Sequence, residues 1–274
     1  MEFLNQLKEE IRPTKEVLQH VDFILEKINR ALKKVKIKAV CIKGGSIAKG
    51  TFLKDDYDVD LFVVFNHLYR GKDISKILGK ALKGFKTNII HGSRDYFHLS
   101  YKNLLFEIVP VLEVINYKKI ENVTDMSPLH VKFVNKNTNK DVRDDIRLAK
   151  AFCKAHEIYG AESYINGFSG HILDLLIIHY KGFVNLLKAA SKWKDKEVID
   201  IRKYWDDPLS ELNQSKTQGP LVIVDPVQPD RNAAAALSYE NYDKFRKAAR
   251  DFLKKPLKSW DYNKGMKIKN YKTL

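Results

Sequence analysis

Apolar residues recur at three- and four-residue intervals through the first 34 positions, with Val17, Val21, Ile24, Leu25, Ile28 and Leu32 on one stripe. That period predicts helix over 1–34, with Pro13 in the first turn of a second helix. A short apolar run, Ile37 to Ile42, breaks at Gly44-Gly45, and Asp58 to Phe65 reads as a second strand. Asp73 to Gly84 returns to the helical period. Thr87 to His91, Tyr96 to Tyr101 and Leu104 to Val114 read as three further strands. To about residue 120 the pattern is a small mixed sheet with helices on it.

Beyond residue 125 the period becomes mainly helical. Asp141 to Tyr159 predicts one long helix and Phe168 to Ala190 one or two more. Short strands are expected at Val198–Ile201 and Leu221–Val224. Ser238 is a good N-cap for a last helix, Tyr239 to Lys254, which Pro256 stops. The main boundary falls at Lys118–Ser127, with a weaker break in the polar stretch Glu211–Gly219. The division expected is 1–124, 125–256 and a short basic tail, 257–274.

The 274 residues suit one large or two modest domains. With 44% hydrophobic residues, wholesale disorder is excluded. No apolar run approaches a membrane-spanning length, and the N-terminus lacks a signal peptide's apolar centre. Cys41 and Cys153 cannot build a disulfide scaffold or a cysteine-only zinc site, so a reducing cytoplasm is the expected compartment. The 49 Lys and Arg exceed the 34 Asp and Glu, giving a net charge of +15 that suits a polyphosphate partner, nucleic acid or nucleotide. The stretch from Lys244 to Leu274 alone holds eleven basic residues against two acids, with Trp260, Tyr262 and Tyr271 among them. Such a segment can contact phosphates and stack on bases.

The sharpest chemistry lies in Gly44-Gly45-Ser46-Ile47-Ala48-Lys49-Gly50-Thr51, followed by Asp58-Val59-Asp60. The glycines let backbone approach a ligand, and amides at a helix start, with the Ser46 hydroxyl and Lys49 ammonium beside them, favour an anion. Asp58 and Asp60 lie two apart on a strand, so both carboxylates share a face and suit a hard divalent ion. Twelve residues separate Ser46 from Asp58, room for a short helix and a return strand. A triphosphate cradle beside a metal-binding Asp-x-Asp is the equipment for two-metal nucleotidyl transfer. A third carboxylate is expected on Leu104 to Val114. Glu107, three residues before Pro110, is chosen over Glu113 because it sits in an apolar run where a carboxylate needs a partner.

This combination resembles the DNA polymerase β-like nucleotidyltransferase superfamily. More narrowly, the chain resembles the archaeal-type (class I) CCA-adding enzymes, the tRNA nucleotidyltransferases. The residues that carry the resemblance begin with Gly45 to Thr51, Asp58, Asp60 and Phe62, then Glu107-Ile-Val-Pro110. They continue with Ser127-Pro-Leu-His130, Lys150, Ile158-Tyr159-Gly160-Ala161-Glu162, Gly167-Phe168-Ser169-Gly170, Val224-Asp225-Pro226-Val227 and Arg231-Asn232. The resemblance implies an α+β protein: a polymerase β-like nucleotidyltransferase head at 1–124 and a mainly helical neck at 125–256. Asp58 and Asp60 would hold two magnesium ions, and Glu107 the ion that activates the tRNA 3′-hydroxyl. Gly45 belongs to the nucleotide cradle. Ser46 and Lys49 would grip the incoming triphosphate from the head, Lys150 and Tyr159 from the neck. Arg231 would read the Watson–Crick edge of cytosine or adenine, and His130 would line the nucleotide pocket. His171 and His179 read as packing or pairing residues rather than zinc ligands.

The implied activity is template-independent addition or repair of the 3′-terminal CCA of tRNA from CTP and ATP. The partner is the tRNA acceptor stem and 3′ end, and family analogy allows a homodimer. The alternatives are a poly(A)-type or CC-adding enzyme, or a non-catalytic RNA-binding relative. The chain departs from the family by stopping at Leu274, where relatives continue into body and tail regions. The expectation that follows is an enzyme that recognises mainly the acceptor end.

Overall fold

A computed structural model describes residues 2–56 and 58–256. The described residues fold as two compact units, 12–135 and 2–11 together with 136–256.

The first unit is built on a five-stranded sheet. Its elements are α2 (Lys15–Lys34), β1 (Ala39–Lys43), α3 (Gly45–Lys49), β2 (Asp58–Phe65), α4 (Ile74–Ala81), β3 (Thr87–Ile90), β4 (Tyr96–Tyr101) and β5 (Leu104–Leu112). A further helix, α5 (Ser127–Lys136), follows at the unit's end. The strand order is β1-β2-β5-β4-β3, with β2 and β5 parallel and every other pair antiparallel. The expected helical stripe of α2 is the buried one: Val17, Val21, Ile24, Ile28 and Leu32 pack with Val59, Leu61, Val63 and Phe65 of β2 and Phe106 and Ile108 of β5. Ile74, Leu78 and Ala81 of α4 join the same core. One face of the sheet is therefore apolar and covered, and the alternate residues of β2 and β5 stand on the other.

The edge strand β1 is blunted at its centre. Asn29 of α2 donates to the Cys41 carbonyl at 2.9 Å and accepts from its amide at 2.8 Å, replacing a missing strand partner. Cys41 is buried there, and burial pushes its thiol up to about 12, so it is inert at neutral pH.

The second unit gathers α1 (Glu2–Glu10), α6 (Lys140–Ala155), α7 (Gly170–Tyr180), α8 (Phe183–Ala190), β6 (Glu197–Ile199), α9 (Pro208–Glu211), β7 (Leu221–Ile223) and α10 (Tyr239–Lys254). The aromatic rings of Phe152, Phe183, Phe245 and Phe252 meet edge to face at 5.7 to 5.9 Å. Trp193 stacks on Tyr242 with ring centroids 5.3 Å apart. β6 and β7 form a two-stranded parallel ribbon. Lys8 of α1 pairs with Asp145 of α6 at 2.6 Å.

Two sequence expectations need adjustment. Pro13 precedes the extended N-cap Thr14 instead of lying in the first turn of α2. A proline forces its predecessor out of the α region, so the helical pattern divides there. The long helix expected to Tyr159 ends at Ala155, because Glu157 takes φ +59 and Ile158 pairs its backbone with Phe168 at 2.8 Å. The segment Phe168 to Ala190, expected as one or two helices, is two, divided by Lys181 and Gly182 at φ +58 and +137. The expected basic tail, 257–274, lies outside the described residues. Among the described residues no helix is long and apolar enough to cross a membrane.

Candidate active site

Two clusters of sequence-predicted residues form, one in each unit. In the first, β2 enters the sheet at Asp58, which is exposed, and the half-buried Asp60 follows two residues later on the same face. Parallel pairing sets Asp60 directly opposite Glu107 of β5. Asp58, Asp60 and Glu107 therefore stand on the face that α2 and α4 leave uncovered.

Glu107 is flanked on its other side by His98 of β4, its cross-strand partner, with Nε2 and Oε1 3.2 Å apart. Tyr96 lies edge-on to the His98 ring at 5.4 Å. Burial and then the Glu107 charge raise the Tyr96 hydroxyl above its ordinary value, so it stays protonated. The row Asp60, Glu107, His98 crosses three strands. Its third member was not read from the sequence, because β4 register is not visible in a single chain.

The turn between β1 and α3 closes on this row. The Gly44 amide donates to the Asp60 carbonyl at 2.8 Å. Gly45 takes φ +47, and a Cβ there would lie 1.7 Å from Asp60 Oδ2. Only glycine allows the backbone to run this close to the carboxylate. Ser46 follows in the first turn of α3, half-buried, with Lys49 in its last turn and 8% exposed. His130 lies half-buried on α5. All-oxygen donors from three carboxylates on one sheet face fit a hard divalent cation.

The second cluster surrounds the start of α7. A Cβ on Gly170 would lie 3.1 Å from the Tyr159 hydroxyl and 3.5 Å from Lys150 Nζ, so both polar ends reach the helix's first residue. Ser169 caps that helix by accepting from the Ile172 amide at 3.2 Å. Lys154 lies over the Tyr159 ring at 4.6 Å. A helix start with an ammonium and a phenol beside it favours an anion. The next residue, His171, approaches Asp225 with 3.6 Å between Nε2 and Oδ2. Asp225 is fully buried and accepts from Arg231 Nη1 at 2.6 Å. Arg231 keeps 39% of its side chain exposed. Lys150, Tyr159 and Arg231 are thus brought into one neighbourhood, linked by Gly170, His171 and Asp225. The pairing read for His171 is with Asp225, a residue the sequence reading quoted without giving it a role.

A family model described as a nucleotidyltransferase domain matches residues 25–154. A second, the tRNA nucleotidyltransferase second domain, matches residues 144–261. The CCA-adding enzyme of Nanoarchaeum equitans is 43% identical over 86% of this chain and 59% of that enzyme. The CCA-adding enzyme of Methanocaldococcus jannaschii is 35% identical over 93% of this chain and 60% of that enzyme. Over most of its length the chain is similar to the CCA-adding enzymes of archaea, and its two matched regions are those of a nucleotidyltransferase domain and a tRNA nucleotidyltransferase second domain. It spans about three-fifths of the length of these curated relatives. A solved structure of the Cid1 RNA terminal uridylyl transferase superposes at a TM-score of 0.74 with 14% identity, covering 97% of each chain. That likeness concerns the fold: a polymerase β-like mixed sheet with helices, followed by a helical region. It is the α+β architecture that the family motifs imply.

Proposed function

We propose that this chain is a template-independent tRNA nucleotidyltransferase that builds or repairs the 3′-terminal CCA from CTP and ATP. The observation that carries the reading is the in-register row of Asp60 and Glu107, with Asp58 on the same face, closed against the Gly45 turn. In this reading the head, 1–124, performs the transfer, and the neck, 125–256, grips and reads the nucleotide. The compact unit Arg12–Asn135, which begins and ends later than 1–124, holds all three carboxylates. The partner is the acceptor stem and 3′ end of a tRNA in the cytoplasm.

Asp58 and Asp60 would hold two magnesium ions, and Glu107 would share the one nearest the tRNA 3′-hydroxyl. Bound there, the ions neutralise phosphate charge and lower the pKa of that hydroxyl. The 3′-hydroxyl releases its proton to solvent, its oxygen bonds to the α-phosphorus of the incoming nucleotide, the bond from that phosphorus to the bridging oxygen breaks, and pyrophosphate leaves. This chain's own residues do the positioning. Ser46, the amides after Gly44 and Lys49 orient the triphosphate on the head. Lys150 and Tyr159, beside the capped start of α7, supply positive charge and a hydroxyl donor to phosphate oxygens. Arg231, backed by Asp225, presents its guanidinium to the base edge, and His130 lines the nucleotide pocket. Positioning and charge neutralisation carry most of the rate enhancement in such a transfer.

The test incubates the chain with tRNA lacking its 3′ end, magnesium and labelled CTP or ATP. Metal-dependent incorporation of both nucleotides supports the reading, and incorporation of ATP alone into long tails would replace it with a poly(A)-type activity.

A further inference from the structure

The segment that follows β6, Asp200 to Trp205, has no part in the site as described so far. Its shape is set by one carboxylate. Asp200 accepts from the amides of Arg202 at 3.1 Å, Tyr204 at 2.7 Å and Trp205 at 3.0 Å, with Lys203 at φ +54. The turn aims two side chains at the loop that leaves β7. The Tyr204 hydroxyl donates to the Pro226 carbonyl at 2.9 Å. The Trp205 indole Nε1 donates to the Pro229 carbonyl, also at 2.9 Å. The Trp205 ring packs on the buried Leu212, Val222 and Val224, which fixes the indole's direction.

The loop they reach is the one that carries Arg231. Its ends meet at the bridge between Val224 and Asn232. Inside it, the Asp225 carboxylate accepts from the Val227 amide at 3.0 Å, the Gln228 amide at 3.2 Å and Arg231 Nη1. The Asp225 amide donates to the Arg231 carbonyl, and the Arg231 amide to the Gln228 carbonyl, each at 3.0 Å. Asp225 therefore organises the loop from within. It gives nothing to the carbonyls of Pro226 and Pro229, and the prolines themselves have no N–H with which to pair the loop to a neighbouring strand. The Tyr204 hydroxyl and the Trp205 indole are donors that tie this face of the loop to the segment after β6.

We infer that Tyr204 and Trp205 are positioning residues for nucleotide selectivity, holding the Pro226–Pro229 loop so that Arg231 meets the base edge at a fixed place and angle. This rests on the reading of Arg231 as the base-reading side chain. Base discrimination by a guanidinium depends on the alignment of its donors with the acceptors of one base and not another. A loop released by a fraction of an ångström keeps its Asp225–Arg231 pair yet loses that alignment. The turn at Asp200 and the Trp205 packing are then parts of the specificity apparatus, set outside the nucleotide's reach.

The test compares Tyr204→Phe/Trp205→Phe, which keeps an aromatic ring at each position and removes both donors, with Arg231→Ala and with the unaltered full chain. The substrate is a tRNA lacking its terminal nucleotides. The readouts are kcat and KM for CTP and UTP, Kd for each nucleotide, and Tm. The expected result is a fall of about tenfold in the CTP-over-UTP ratio of kcat/KM, carried mainly by a higher KM and Kd for CTP. Trp205→Phe alone lies between the double variant and the unaltered chain. A ratio unchanged in the double variant but lowered by Arg231→Ala overturns the inference and leaves the reading of Arg231 standing. A ratio unchanged by Arg231→Ala removes that reading and the inference with it. A double variant whose Tm and kcat fall while the ratio holds assigns the two donors to stability alone and also overturns it.

Discussion

At the residue scale, Gly45 and the carboxylate it faces decide whether the row on β2 and β5 can work. A Cβ on Gly45 would occupy the place of Asp60 Oδ2, and φ +47 is itself unfavourable for any other residue. Gly45→Ala is expected to cost about 1–3 kcal/mol of stability and to weaken magnesium binding by displacing Asp60. Denaturation together with a magnesium titration reads both, and unchanged metal affinity would separate the turn from the metal site. Asp58→Ala tests the other carboxylate. Asp58 is exposed, so its loss should alter stability by no more than about 0.5 kcal/mol while abolishing CTP incorporation. Wild-type incorporation by this variant would remove the metal assignment. The sequence made these two aspartates and Gly45 readable because strand parity and glycine chemistry act over a few residues. His98 beside Glu107 and Asp225 beside Arg231 were not readable as partners. Those contacts arise from strand register and loop closure, which a linear pattern does not encode.

At the element scale, the strands and most helices lie within a few residues of where the apolar periods put them. The departures share a cause: a backbone choice made by a few residues overrides the period. Positive φ at Glu157 ends a helix whose side-chain pattern would continue. Helix α5 was missed for the opposite reason, since its apolar positions are spaced too irregularly to signal a helix and only Phe133 and Val134 are buried.

The segment before α5 is held by an unusual buried acid. Asp125 is 2% exposed, pairs with Arg94, and accepts from the amides of Leu112 at 2.9 Å and Asn122 at 3.1 Å. Asp125→Ala leaves the half-buried Arg94 without this partner and should cost about 3–5 kcal/mol, read by denaturant midpoint. A loss below about 1 kcal/mol would show that the exit from β5 is held otherwise.

Glu197 of β6 gives a pH test at the same scale. Burial raises its carboxyl above the ordinary value, ahead of the lowering effects of the Tyr180 hydroxyl and Lys194. The folded state thus holds the proton more tightly than the unfolded chain. Its stability is greatest below the unfolded pKa of about 4.3 and falls as pH rises from there through the raised folded value. Glu197→Gln should raise Tm at pH 7, with the gain shrinking towards pH 4. A gain that does not change with pH would contradict the assignment.

At the scale of the whole molecule, the net charge of +15 and the two residue clusters are parts of one expectation, an enzyme that holds a polyanion at both ends of its reaction. The charge supplies affinity without sequence, so tRNA binding should weaken steeply between low and physiological salt. On the proposed reading the carboxylates would supply chemistry without specificity, and the Arg231 loop the choice of base. These are separable properties, and only the product made on tRNA reports all three together. The most direct measurement therefore sequences the 3′ ends formed by the chain on tRNA ending before CCA, with CTP, ATP and magnesium all present. The account predicts products extended by C, C and A that then stop, and none without the metal. Homopolymeric tails, addition in random order, or no extension at all would contradict it.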